Sequence, residues 1–180
     1  MKVTISGLPG SGTTTVAKLL AEKLGYKLIS AGEVFRRLAI ERGMTLEEFS
    51  KYADENPEID LYIDRMQKEL AERERDVVVE GRLSGWMIKD AFKVWIYADP
   101  DVRYERIAKR EGIELGRARV ETKRREEIEK RRYQKYYSID IDDIGIYHIA
   151  INSGKFKPEE IVEIILKAMD LAGGRVYDEE

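Results

Sequence analysis

The stretch of sequence that decides the fold is GLPGSGTTT, residues 7–15. It follows a short apolar run, KVTIS at residues 2–6, and precedes apolar residues at helical spacing that end at Gly25. A strand, a glycine-rich loop and a helix in this order are typical of a phosphate-binding loop, where backbone N–H groups and the helix N-terminus attract an anion. The alternative is a glycine-rich turn without a ligand, which the order of the elements disfavours.

The loop departs from the common phosphate-binding pattern at one position. The pattern G-x-x-x-x-G-K-[ST] places a lysine after the last glycine, whereas this chain has Thr13 there. Thr14 keeps the hydroxyl that the pattern provides for Mg²⁺. Because Thr13 offers only a neutral hydrogen bond, we expect the missing positive charge to come from Mg²⁺, from arginines further along the chain, or from both.

Composition narrows the class of protein. The 180 residues, 43% of them hydrophobic, suit a single domain with a real core. The chain has no cysteine, which excludes disulfides and thiolate metal sites. No apolar run approaches the roughly 18 residues of a membrane span, and the N-terminal residues read as a strand and not as a signal peptide. We therefore expect a cytoplasmic protein with no membrane partner.

Positive charge is concentrated in one part of the chain. The net charge is −3, yet residues 103–136 carry thirteen Lys or Arg and seven Glu. Such a segment suits an anionic ligand. For most of these charges the alternative is a solvated helix with ion pairs four residues apart, such as Glu121 with Arg125 and Glu126 with Lys130.

Beyond the loop, strand and helix patterns alternate to the end of the chain. This alternation predicts an α/β protein, doubly wound around a five-stranded parallel sheet, with its ligand site at the carboxyl ends of the strands. The four further strands are predicted within YKLIS (26–30), DVVVEGR (76–82), KVWIYADP (93–100) and YHIAINSG (147–154).

Two segments interrupt this alternation. Residues 44–75 read as a helical insertion that begins with a capping box of Thr45 and Glu48. IELGRAR, residues 113–119, reads as a turn before a long charged helix from about Val120 to Tyr137. The tail RVYDEE, residues 175–180, is expected to be mobile.

Together with the loop, three further motifs resemble the nucleoside monophosphate kinases, most closely the archaeal-type cytidylate kinases, over nearly the whole chain. They are ISAGEVFR (29–36), VVVEGRLSG (77–85) and YADPDVRYERIAKRE (97–111). The resemblance implies one kinase unit with the three-layer P-loop kinase fold. In that unit the core comprises residues 1–43, 76–111 and 120–175, the helical insertion 44–75 binds the monophosphate, and a short lid lies at about 112–119.

The resemblance also implies a reaction. The chain would transfer the γ-phosphoryl group of MgATP to CMP, and to dCMP, giving CDP and ADP, with ATP, CMP or dCMP and Mg²⁺ as ligands of a monomer. An adenylate or uridylate kinase on the same fold is the nearest alternative. A regulatory nucleotide-binding module ranks lower because the late strand offers INSG, at 151–154, where such a module has N-K-x-D. Nucleic-acid binding is disfavoured because the chain as a whole is acidic.

Site residues follow from matching the motifs. For several of these residues the alternative is a surface position with no role in binding. Arg36, Asp60 and Asp64 could each lie on a helix surface, and Glu80 could lie at a solvated strand end. The resemblance implies that Mg²⁺ is bound by Thr14 and, through water, by Glu80, and that catalysis depends on Arg110, Arg117 and Arg119. It implies that the acceptor is bound by Ser30, Gly32, Arg36 and Arg82, and that Asp60 or Asp64 contacts the base. The residues implied to bind ATP are Gly7, Leu8, Pro9, Gly10, Ser11, Gly12, Thr13, Thr14 and Thr15.

Overall fold

The computed structural model describes residues 1–172, apart from the side chain of residue 47. The tail expected to be mobile, and the last three residues of the expected core, therefore lie outside the described residues. Within them, five strands form one sheet, and every pair of neighbouring strands is parallel, as predicted. The strand order is β2-β3-β1-β4-β5, with β1 at Lys2–Ser6, β2 at Lys27–Ser30, β3 at Val77–Glu80, β4 at Ala91–Tyr97 and β5 at Ile149–Asn152.

Helices connect the strands and cover both faces of the sheet. The structure adds one helix that the sequence pattern did not reveal, because a segment of four residues is too short to show a helical period. The helices are α1 (Thr13–Leu24), α2 (Ala31–Glu41), α3 (Leu46–Glu55), α4 (Glu58–Glu72), the added α5 (Ser84–Met87), α6 (Pro100–Glu111), α7 (Leu115–Tyr137) and α8 (Pro158–Leu171).

The predicted start of the long charged helix was wrong. The helix α7 begins at Leu115 and not near Val120, so most of the segment expected to be a turn is helical. The first helical turn closes because the N–H of Ala118 donates to the carbonyl oxygen of Glu114 at 2.9 Å. Gly116 suggested a turn, but a glycine costs a helix only about 1 kcal/mol, which the neighbouring hydrogen bonds offset.

The buried apolar side chains of the described residues form four clusters, two of which support the site most directly. Under the sheet, β1 and β4 pack against α1 and α8 through buried apolar side chains such as Val3, Leu20 and Ile161. The insertion packs against α2 in a further cluster, which includes Leu38 of α2, the fully buried Phe49 of α3 and Ile63 of α4. Its predicted capping box is present at the start of α3.

The register of the strands brings polar side chains to one edge of the sheet. Ser30 at the end of β2 pairs with Glu80 at the end of β3, and Glu80 also pairs with Ile5 in β1. The glycine-rich loop leaves β1 at the same edge and leads into α1. No helix in residues 1–172 is long and apolar enough to cross a membrane.

Candidate active site

The glycine-rich loop has the backbone shape of an anion cradle. Gly10 and Gly12 have φ of 80° and 86°, in the left-handed region that favours glycine. A β-carbon on Gly10 would also lie 2.5 Å from the carbonyl oxygen of Arg103. The loop then enters α1 directly, so the N-terminus of that helix faces the space that the loop encloses.

Three polar side chains hold the carbonyl groups of the loop. Arg103 donates to the carbonyl of Pro9 at 2.9 Å, and Arg106 donates to that of Gly10 at 3.2 Å. The hydroxyl of Ser153, after β5, donates to the carbonyl of Ser11 at 2.7 Å. In a trans peptide the N–H points opposite to the C=O, so fixing these carbonyls aims the next amides away from the protein, towards a bound phosphate.

Sequence reasoning missed these three supporting residues. The two arginines lie three residues apart in α6, within a motif that was matched to the kinases, and this spacing places both on one helix face. Arg103 is almost completely buried and also pairs with Glu126 of α7. The buried position of an arginine cannot be deduced from the charge-rich sequence around it.

Glu80 connects the loop to the neighbouring strand. Its carboxylate accepts hydrogen bonds from the hydroxyl of Thr13 at 2.7 Å and from that of Ser30 at 2.7 Å, on different oxygens. Thr14 adds a longer bond at 3.4 Å. The backbone carbonyl of Glu80 accepts from the buried amide of Gln67 at 2.8 Å. Hydroxyls from α1 and β2 therefore converge on one carboxylate that is only 8% exposed.

The hydroxyl of Thr14 and the carboxylate of Glu80 form an oxygen donor set that fits Mg²⁺. Mg²⁺ prefers carboxylate, hydroxyl, water and phosphate oxygens, and it usually binds proteins through one or two side chains with substrate phosphates supplying the rest. In residues 1–172 no group of three or more His, Cys, Asp or Glu could hold a metal ion. The oxygens of Thr14 and Glu80 would leave the other positions around such an ion to water and phosphate oxygens.

Arg36 lies in the first turns of α2, the helix that follows β2. A β-carbon on Gly32 would lie 3.4 Å from one guanidinium nitrogen of Arg36 and 3.7 Å from the hydroxyl of Ser30. The arginine, the glycine and the serine are thus brought together beside Glu80. The guanidinium itself is exposed and open to an anion.

Arg82 follows β3 and is held by a carboxylate of α7. It forms an ion pair with Glu129, which also pairs with Arg125 at 2.9 Å. Burial lowers the pKa of Arg82, but Glu129 raises it further, so the net direction is upward. Burial likewise raises the pKa of Glu129, and the two guanidiniums outweigh it, so the net direction is downward. Arg82 is therefore a fixed cation at the carboxyl end of β3.

Asp60 and Asp64 both lie on α4 facing α7. Asp60 forms an ion pair with Arg132, and Asp64 accepts a hydrogen bond from the hydroxyl of Tyr137 at 3.1 Å. Burial raises the pKa of Asp64 to about 6, against the lowering effect of the Tyr137 hydrogen bond. These contacts join the insertion to the long helix.

The three arginines expected to be catalytic lie in exposed ion pairs. Arg110 pairs with Glu111 beside it, Arg117 pairs with Glu121 at 2.7 Å, and Arg119 pairs with Asp101 at 2.9 Å. Their side chains are 65%, 65% and 46% exposed. In the described residues, the arginines that contact the loop are instead those at positions 103 and 106.

A cavity of about 210 Å³ opens beside the loop and the start of α1. Arg106 forms one wall, while Phe156 and Pro158 after β5 form another. The cavity thus combines an arginine and a serine with apolar side chains, next to the end of the glycine-rich loop.

Comparison with known proteins identifies close relatives. Residues 2–155 match the model of the Cytidylate kinase-like family. A cytidylate kinase of Archaeoglobus fulgidus is 69% identical over 172 residues, which cover 95% of this chain and 96% of that protein. A cytidylate kinase of Pyrococcus horikoshii is 50% identical over 169 residues, covering 93% of this chain and 88% of that protein.

Solved structures show the same fold at low identity. An uncharacterized protein from Eubacterium ventriosum matches with a TM-score of 0.70 and 24% identity, over 94% of this chain and 98% of the other. Shikimate kinase from Aquifex aeolicus matches with a TM-score of 0.62 and 18% identity, over 96% and 98% of the two chains. The predicted α/β P-loop kinase fold is therefore confirmed.

Proposed function

The chain belongs to the cytidylate kinase-like family, and we propose that it transfers the γ-phosphoryl group of MgATP to CMP, and also to dCMP, to give CDP and ADP. The observation that carries the proposal is the position of Glu80. Its carboxylate joins the hydroxyls of Thr13 and Thr14, from the donor loop, to that of Ser30 in the strand that leads to Arg36. Donor and acceptor sides meet at this group.

On the donor side, the loop from Gly7 to Thr15 would bind the phosphates of ATP through its backbone amides and the N-terminus of α1. The cavity beside Arg106 would receive the base of the donor nucleotide. Thr14, together with Glu80 through water, would hold Mg²⁺. When bound, that ion neutralises charge on the phosphates.

On the acceptor side, Arg36 would bind the phosphate of CMP, because a guanidinium can give two parallel hydrogen bonds to a phosphate. Arg82 would contribute a second cation whose orientation is fixed by Glu129. Ser30 and Gly32 would line the space between them, since Gly32 has no side chain to obstruct Arg36.

The insertion, residues 44–75, would cover the nucleobase. Asp60 and Asp64 are the carboxylates of α4 that face the rest of the protein, and a carboxylate oxygen accepts hydrogen bonds from the 4-amino group of cytosine. Uracil has a carbonyl at that position, so a carboxylate would repel it. This difference favours CMP over UMP.

Catalysis would require positioning and charge neutralisation, and no covalent intermediate, because the acceptor is already an anionic phosphate oxygen. The lid, about residues 112–119, would bring Arg110, Arg117 and Arg119 towards the transferring group when both substrates are bound. Closure would also keep water from accepting the phosphoryl group.

A panel of acceptors tests the proposal. Purified protein is mixed with MgATP and each of CMP, dCMP, UMP, AMP and GMP, and diphosphate formation gives kcat/KM for each. We expect CMP and dCMP to be the best acceptors. A clear preference for AMP or UMP would assign the chain to the sister activity, and no turnover with any monophosphate would refute the proposal.

A further inference from the structure

We propose that Thr13, at the position where the common loop pattern has a lysine, is a positioning residue that orients the carboxylate of Glu80 and does not bind phosphate through its side chain. This inference rests on the proposed function, in which that carboxylate helps to hold Mg²⁺. It assigns a role to the residue by which the loop departs from the pattern.

Both the hydroxyl and the methyl group of Thr13 contact other residues of the protein. Its hydroxyl donates to Glu80 at 2.7 Å, the shortest of the bonds that the carboxylate oxygen Oε1 accepts from the loop. Its methyl group lies against Gly7, since a β-carbon on that glycine would come within 2.8 Å of it. The side chain therefore faces inward, and the loop offers its amides to the phosphates instead.

A neutral hydrogen-bond donor suits position 13 because it leaves the negative charge of Glu80 intact. A hydroxyl fixes the carboxylate of Glu80 and keeps its full negative charge available for a cation. A lysine ammonium at the same place would neutralise that charge and compete with Mg²⁺ for the oxygen. With threonine in place of lysine, the positive charge must come from groups outside the loop, among them the metal ion.

The arrangement also links the two substrates. The other oxygen of the Glu80 carboxylate accepts from Ser30 at 2.7 Å, and Gln67 fixes the backbone of the same residue at 2.8 Å. A carboxylate held from the donor loop and from the acceptor strand has little freedom to rotate. Losing the Thr13 bond should therefore loosen it on the donor side alone.

The test compares Thr13→Val, Thr13→Ala, Thr13→Ser and Thr13→Lys. Since a hydrogen bond to a charged group contributes about 1.5 to 3 kcal/mol, we expect the first two to lower kcat by roughly 10- to 100-fold. Thr13→Ser keeps the donor and should stay within about threefold of the wild-type kcat. The Thr13→Lys variant should need a higher Mg²⁺ concentration for half-maximal activity than the wild type.

Calorimetric titration separates this role from direct phosphate binding and needs no turnover. Thr13→Val should weaken binding of ATP in the presence of Mg²⁺ and leave binding of metal-free ATP unchanged. Equal weakening of both would mean that Thr13 contacts the phosphates and would overturn the proposal. This binding measurement does not depend on which acceptor the wild type phosphorylates. Failure of the proposed function can therefore be told apart from failure of this inference about Thr13.

A matched control is Thr4→Val, which removes a buried hydroxyl from β1. In the part of the chain that the structure describes, that hydroxyl has no hydrogen-bond partner. Its loss should leave kcat and Mg²⁺ dependence unchanged. The proposal is overturned if Thr13→Val and Thr13→Ala both keep kcat within twofold, or if Thr13→Ser loses as much activity as they do. Melting temperatures identify any variant that fails to fold.

Discussion

At the scale of single residues, the acceptor side rests on one exposed arginine. Arg36 lies beside Gly32 in α2, with no carboxylate partner among the ion pairs that the structure describes. Its neighbour Arg37 pairs with Glu41 on the same helix at 3.6 Å. Arg36 and Arg37 are thus the same residue type in different surroundings. Substitution of Arg36 therefore tests the acceptor site, and substitution of Arg37 is its control.

We expect Arg36→Ala to raise KM for CMP by roughly tenfold or more, because it removes a charge-assisted, two-pronged contact to the acceptor phosphate. Arg36→Lys should recover only part of this, since an ammonium lacks the forked geometry. Affinity for MgATP should not change in either variant. Steady-state kinetics with each substrate varied in turn measures the effect.

Arg37→Ala is the matched control and should leave both KM values within about twofold, as an exposed pair contributes little. If the two alanine variants behaved alike, the acceptor phosphate would bind elsewhere.

At the scale of elements, the insertion and the long helix are joined by ionisable groups. The contacts run from Asp60 and Asp64 of α4 to Arg132 and Tyr137 of α7. Beside them Glu129, on the same long helix, holds Arg82 at the end of β3. The insertion therefore contacts the same helix whose first residues belong to the proposed lid.

The raised pKa of Asp64 predicts a specific pH dependence of stability. Its value of about 6 in the folded protein lies above the ordinary 3.8. Between these values the folded state binds the proton more tightly, so this group's contribution to stability falls as pH rises through that window and stays low at neutral pH. Removing the charge should therefore stabilise the protein at neutral pH relative to acid pH.

Asp64→Asn measures this contribution, because asparagine can still accept the bond from Tyr137. We expect the free energy of unfolding of the variant, relative to wild type, to increase by about 1 to 2 kcal/mol from pH 4 to pH 7. Urea denaturation at several pH values gives the difference. A difference that does not vary with pH would show that Asp64 is not perturbed.

The proposed lid predicts a different kinetic pattern from the acceptor arginine. Because Arg117 and Arg119 would approach the phosphoryl group only on closure, Arg117→Ala or Arg119→Ala should lower kcat by about tenfold or more. KM for CMP should change much less. Lys109→Ala, which removes an exposed cation from α6, serves as the control. If both arginine variants kept full turnover, the positive charge of the missing lysine would have to be supplied by other groups.

The elements differ in how far the sequence could predict them. Periodicity located all five strands, because a run such as VVVE in β3 is buried along its whole length and reads as apolar. It misplaced the start of α7, where Gly116 and several charges obscured the period, and it missed the single turn of α5. Periodicity fails where a helix is too short to show a period or where a glycine and several charges interrupt it.

At the scale of the whole molecule, the charge-rich segment 103–136 has two roles. Its less exposed members stabilise the site. The buried Arg103 and the half-buried Arg106 hold the loop, while the buried Glu129 and Arg132 pair with Arg82 and Asp60. Its exposed members form surface ion pairs, but not the two expected from the sequence, since Glu121 pairs with Arg117 and Lys130 pairs with Asp142. Sequence reasoning named the segment but could not separate the two groups, because burial depends on which residues of α6 and α7 face the sheet.

The most direct measurement is a ³¹P NMR time course of the protein with MgATP and CMP. We predict that the resonances of ATP and CMP decline together while those of ADP and CDP rise in equal amounts, since one phosphoryl group moves between them. Little inorganic phosphate should appear. Release of inorganic phosphate without CDP, or an unchanged spectrum, would contradict transfer between the loop and the acceptor site.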